Sequence, residues 1–214
     1  MSIAVFGTGL VLSHDVQTPP DLAPLKDLLP GLPLRRIPHL QRVALLAAAR
    51  ALDNAGWRNP DSVTDMALVV GSAYGCPQTS MDFMDSILDN GPQLSSPTAF
   101  SHSVNNVHTG ILSLYLGIRG PCMNVTQFGQ SFVGAVQAAN AMLTAGRTRR
   151  VLLGMVEGID KRFARCCPDV PETGEGAVFF CVGEGNGGQP LLPAVVPATT
   201  ALASAVATLE AIHA

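Results

Sequence analysis

Charge is scarce in this chain. Asp, Glu, Lys and Arg make up 14% of its 214 residues, where roughly a quarter is usual for a soluble domain. Aromatics are fewer still, at 5%, the net charge is −3 and no basic stripe runs through the sequence; together these exclude a nucleic-acid binder. Although 47% of the residues are hydrophobic, no apolar run approaches the ~20 residues that cross a bilayer. No basic segment precedes the apolar start at Ser2, so that start reads as a strand and not as an export signal. The five cysteines fall at 76, 122, 166, 167 and 181 with no CxxC. They are expected to be reduced thiols of a cytoplasmic protein. His102 and His108 lack the i, i+4 spacing of helical metal ligands, and Gly7-Thr8-Gly9 lacks the third glycine of a dinucleotide loop. Neither a metal nor an organic cofactor is expected.

What the chain does have is helices alternating with short apolar strands. Ser2 to Thr8 reads as a strand ending at glycine, and 13–37 as a Pro-rich surface excursion. Pro38 opens a helix over Leu40 to Ala55, with Gly56 as its C-terminal stop. Met66 to Gly71 is continuously apolar, the pattern of a strand covered on both faces. Further helices are expected over Pro77 to Asn90, Ser103 to Leu116, Phe132 to Ala145 and Thr199 to His213. Further strands are expected at Cys122 to Val125, Arg150 to Val156 and Ala177 to Gly183, with Pro190 to Pro197 as a spacer. The alternation predicts a layered α/β fold with a mostly parallel central sheet.

The centre of that fold is expected at Gly120 to Gly146. A Gly-Pro turn leads into a short strand, then a polar knot at Thr126 to Gln130, then a helix without a charge. Such a helix should be covered all round. Its N-terminus, with unpaired amides and the positive end of the dipole, is where a reactive thiolate would be mounted. The knot holds no thiol. Ser131 reads either as a nucleophile or, with no base placed near it, as an N-cap.

Three segments in order resemble the β-ketoacyl synthase family: the Ala-rich helix Leu45 to Trp57, the asparagine-bearing segment Phe100 to Pro121 with its Leu-Gly-x-x-Gly-Pro turn, and Gly174-Glu175-Gly176-Ala177 before an apolar strand. The resemblance covers nearly the whole chain but only the first half of the family's length. It implies a thiolase-like half-fold with a buried helix. It places the family's nucleophilic cysteine at Gly129, with the amide Gln130 beside it, and its two histidines in a half absent from these residues. Only sixteen residues separate Glu157 from Gly174, where active members carry a longer excursion. The chain is most similar to short chain-length factors of aryl polyene systems, which are catalytically silent partners of an active synthase.

By that resemblance the partner would be a full-length β-ketoacyl synthase, with acyl carrier protein engaged indirectly. The interface and acyl tunnel would involve Asn105, Asn106, His108, Cys122, Met123, Asn124, Val125, Thr126, Gln127 and Phe128, and Gly174, Glu175 and Gly176 would be a structural turn. Arg147, Arg149 and Arg150 with Lys161, Arg162 and Arg165 form basic patches able to steer an acidic carrier. Residues 1–190 are expected to form the domain, and 191–214 a spacer and covering helix of the same domain. The alternative is an acyltransferase or hydrolase acting on carrier thioesters through Ser131 or Cys122.

Overall fold

The computed structural model describes residues 3–13, 19–158, 160–166, 175–185, 188–191, 195–196, 198 and 200–213. Among them six strands form one sheet: β1 (Ile3–Leu12), β2 (Ala67–Gly71), β3 (Cys122–Val125), β4 (Arg150–Glu157), β5 (Gly176–Glu184) and β6 (Gln189–Pro190), in the order β3-β2-β4-β5-β1-β6. β2 runs parallel to β3 and β4; β5 is antiparallel to both β4 and β1, and β6 is antiparallel to β1. Strands β1 to β4 therefore point the same way. The expected parallel arrangement holds for β3-β2-β4, while the other half is antiparallel, so the whole sheet is mixed.

The helices are α1 (Leu25–Leu28), α2 (His39–Asn54), α3 (Pro60–Thr64), α4 (Pro77–Asn90), α5 (Pro97–His102), α6 (Val107–Leu116), α7 (Ser131–Thr144), α8 (Lys161–Cys166) and α9 (Ala201–His213). Strand side chains alternate between two cores, as the period of two requires. Leu68, Val70, Leu152, Val156, Phe179 and Cys181 meet α2 and Leu112 of α6. Ala67, Val69, Val151, Leu153, Met155, Val178, Phe180 and Val182 meet α7 and α9. Two-sided burial is the reason the strands read as continuous apolar runs.

Three sequence expectations change. β1 continues through Gly7 and Gly9 to Leu12. A Cβ on Gly7 would stand 2.4 Å from the Ala55 nitrogen and one on Gly9 2.0 Å from the Ala47 oxygen, so these glycines let α2 lie against the strand. The helix expected over Ser103 to Leu116 starts only at Val107. Ser103 and Asn106, which hydrogen-bond locally and favour caps over helix interiors, bound a bend that leaves Asn105 and Asn106 exposed in a turn. The charge-free helix α7 is not covered all round. Phe132, Ala135, Val136, Ala139 and Leu143 are buried, whereas Gln137, Ala141 and Thr144 lie open on the side facing away from the sheet and α9. α9 packs through Ala201, Ser204, Ala205, Thr208 and Leu209, with Leu202, Val206 and Ile212 half-buried beside them.

Candidate functional site at the strand ends

The C-terminal ends of parallel strands, where α/β sheets place their sites, bring together Ser72 to Cys76 after β2, Thr126 to Ser131 after β3 and Glu157 at the end of β4. A single turn of 3-10 helix, Phe128–Gln130, runs straight into α7. Ser131 is therefore inside the helix and is not its N-cap, which corrects the expectation. Its fully buried Oγ accepts the Gln127 amide at 2.8 Å and lies 2.8 Å from the Phe128 carbonyl and 3.2 Å from that of Ser72. The hydroxyl ties the knot to the end of β2, and no histidine or carboxylate among the described residues is bonded to it.

Gly129 occupies the position at which the family resemblance sets a thiol, and Gln130 beside it is exposed. Phe128 carries the strain of the turn. Its φ is 49°, a left-handed value that bulky side chains avoid, and it is 69% exposed. A ring placed outward at a conformational cost suits a contact made with another molecule. Inward, Phe128 meets Tyr74 edge-on at 6.2 Å, and Tyr74 meets Phe163 of α8 at 5.7 Å. α8 is in turn held to α4 by Arg162, which pairs with Asp82, Asp85 and Asp160. Of the basic residues singled out above, Arg162 is thus an internal clasp.

β3 is the edge of the sheet. Leu68 N–H bonds the Pro121 carbonyl and Ser72 N–H that of Val125. By the alternation of a parallel ladder, Met123 and Val125 bond inward, while the amides and carbonyls of Cys122 and Asn124 point outward. The exposed large hydrophobic residues Met84, Leu88, Leu94, Phe100, Val104, Leu114, Met123 and Phe128 all fall between α4 and this turn. Cys122 is exposed, and so are Thr126 and Gln127, the two residues before Phe128.

The sequence reading misplaced His108 and missed its neighbours. His108 has no exposed surface, so it contacts no partner directly. It faces inward to Cys76 Sγ at 3.3 Å and Gln41 at 3.5 Å. Burial pushes the imidazole down to about 4 and the Cys76 thiol up to about 12. Glu157, also buried, accepts the Ala73 amide at 2.6 Å, and burial raises its carboxyl to about 7. Glu175 of the expected structural turn pairs with His39 at 2.6 Å, and Gly176 opens β5. Gly174 and Cys167 lie outside the described residues. Residues 41, 76 and 108 stand in three separate segments with no motif to join them; the one local signal was a cysteine directly before an N1 proline.

A mixed sheet between helix layers, with a tight strand–turn–helix at its parallel end, defines a thiolase-like half-fold. The chain belongs to the "Beta-ketoacyl synthase, N-terminal domain" family, whose model matches residues 14–177. It is 27% identical over 168 residues to the 3-oxoacyl-[acyl-carrier-protein] synthase 2 of Staphylococcus aureus (strain N315), covering 72% of this chain and 41% of that protein. The chain thus spans about two fifths of that relative's length. Two solved structures share the fold. The ishigamide ketosynthase/chain length factor superposes with a TM-score of 0.71 at 19% identity, over 89% of this chain and 65% of that one. The ketosynthase ApeO in complex with its chain length factor ApeC, from Xenorhabdus doucetiae, gives 0.68 at 19% identity, over 87% and 81%. Among the described residues no helix is long and apolar enough to cross a membrane.

Proposed function

We propose that this chain is a non-catalytic subunit of the chain-length-factor kind, which pairs with a full-length β-ketoacyl synthase and shapes its acyl tunnel. What supports the reading is Gly129, at the position where the family's spacing would set the nucleophile, near a serine hydroxyl held among three backbone groups. A glycine attacks nothing, and covalent catalysis needs a nucleophile with its base. The free edge of β3 would extend the partner's sheet, and Phe128, with Thr126 and Gln127, would enter the partner's tunnel. The kind of complex named for the two solved structures supports this pairing. Asn105, Asn106 and Met123 would lie within the same contact. The complex would work in the cytoplasm, with acyl carrier protein meeting the active subunit.

The test is to reconstitute the chain with the ketosynthase and carrier protein of its own organism and measure product length. Phe128→Ala should open the tunnel and lengthen the products; an unchanged length distribution contradicts the reading. Against a hydrolase or acyltransferase acting through Ser131 stands its bonded, buried hydroxyl. Against one acting through Cys122 stands its setting, for the thiol faces the Gly120 carbonyl and no histidine among the described residues is bonded to it.

A further inference from the structure

Strands β2, β3 and β4, which run parallel, are each followed closely by an aromatic side chain. Tyr74 comes after β2, Phe128 after β3, and Phe163 lies in α8 after β4. β2 stands between β3 and β4 in the sheet, and Tyr74 stands between the other two rings. Phe128 meets Tyr74 at 6.2 Å with the rings 61° apart, and Tyr74 meets Phe163 at 5.7 Å and 57°. Tilted and edge-on pairs of this kind are what aromatic rings prefer to a face-to-face stack. Core packing does not account for the line: Tyr74 only borders the core on the α7 side, and Phe163, half-buried, belongs to neither core.

The outermost ring has the least support. Phe128 sits in a single 3-10 turn at φ 49°, is 69% exposed, and leans on Tyr74. An exposed side chain changes rotamer on the picosecond to nanosecond scale, so its mean direction depends on what it rests against. The Tyr74 loop is tied on both sides of that residue. The Ala73 amide donates to Glu157 at 2.6 Å, the Gly75 amide to Ser72 Oγ at 2.9 Å, and Ser131 Oγ to the Ser72 carbonyl at 3.2 Å. Phe163 is placed by α8. Asp160 accepts the Arg162 amide at 2.7 Å at the start of that helix, and the Arg162 guanidinium donates to Asp82 at 2.7 Å and Asp85 at 2.5 Å on α4. A planar guanidinium bridging several carboxylates fixes direction as well as distance.

We propose that Tyr74 and Phe163 are positioning residues for the Phe128 ring, and that α8, through its Arg162 clasp, fixes how far that ring reaches into a partner's acyl tunnel. The inference rests on the tunnel-shaping reading above and adds a control element that lies behind the contact. A ring held in one direction stops the growing chain at one depth and gives a narrow range of product lengths. With Phe163 gone, the far side of Tyr74 loses its ring contact. Phe128 then divides its time between directions, and longer chains pass in a fraction of turnovers.

The test reconstitutes the intact chain with the ketosynthase and carrier protein of its own organism. Mass spectrometry reads the product lengths, and native mass spectrometry follows the heterodimer. Phe163→Ala should bind the ketosynthase like the natural chain and raise the share of products longer than the main one about threefold, a bias that one aromatic pair supplies. Phe163→Tyr, which keeps the ring, should restore the natural distribution. The double variant Phe128→Ala/Phe163→Ala should match Phe128→Ala alone, because no ring is left to position; an independent structural role would add its own effect and overturns the inference. Should Phe163→Ala not fold, Arg162→Gln, which releases the clasp and leaves every ring in place, should broaden the products likewise, and no change there overturns the inference. If Phe128→Ala lengthens the products while a folded, bound Phe163→Ala leaves the distribution unchanged, the positioning inference alone is overturned. A heterodimer that never forms, or Phe128→Ala without effect on length, overturns the tunnel-shaping reading and this inference with it.

Discussion

At the scale of single residues, the polar groups near the strand ends divide by what burial does to them. Ser131 is satisfied and Glu157 is not. Its Oε1 has no partner, and burial raises its pKa from 4.5 to about 7. A carboxyl whose pKa is higher folded than unfolded binds more protons in the native state between those values. Stability therefore falls as pH rises from about 4.5 to about 7 and stays lower above. Glu157→Gln keeps an acceptor for the Ala73 amide and removes the ionisation. It should flatten that slope, so that the natural chain loses stability between pH 5 and pH 8 and the variant does not; urea melts of both chains at pH 5 and pH 8 check this. Ser131→Ala should cost about 1–3 kcal/mol, because it leaves the Gln127 amide unpaired, and should leave partner binding intact in a chain that remains folded. Little of this was legible beforehand. A serine beside a turn has the same sequence signature whether it caps, attacks or ties two strand ends together. The trio of Gln41, Cys76 and His108 exists only once α2, α4 and α6 have packed.

At the scale of elements, local chemistry was the better guide. α4 was readable to the residue because Pro77 fits its first turn and Gly91, at φ 79°, ends it. β1 was cut short because Gly7 and Gly9 look like a stop; their role is the close approach of a helix, which periodicity does not encode. The α5–α6 bend was hidden because one apolar pattern runs across it. The element on which the functional reading turns is β3. Its inward bonds run through Met123 and Val125, so Asn124→Pro removes an outward donor only, and proline is tolerated at such an edge position. This variant should keep its thermal midpoint within a few degrees of the natural chain and lose the partner in pull-down assays. Loss of folding together with binding would mean that β3 is bonded in the opposite register. Phe132, fully buried where α7 meets β5 through Phe180 at 5.7 Å, is the packing anchor on the other side. Phe132→Ala should cost about 3–5 kcal/mol.

At the scale of the whole molecule, two cores are complete and one flank is not. The sheet is buried on both faces, yet the outer side of α7 is open and the large exposed hydrophobic side chains all come from residues 84 to 128. Exposed apolar side chains of this kind are what an interaction site would use. The central claim is that this flank belongs to a partner that does the chemistry. Native mass spectrometry of the chain mixed with the full-length ketosynthase of its own organism tests it most directly. The account predicts a one-to-one heterodimer that forms with the natural chain and not with Asn124→Pro. A mixture showing only the separate species, at concentrations where the ketosynthase is active, would contradict it.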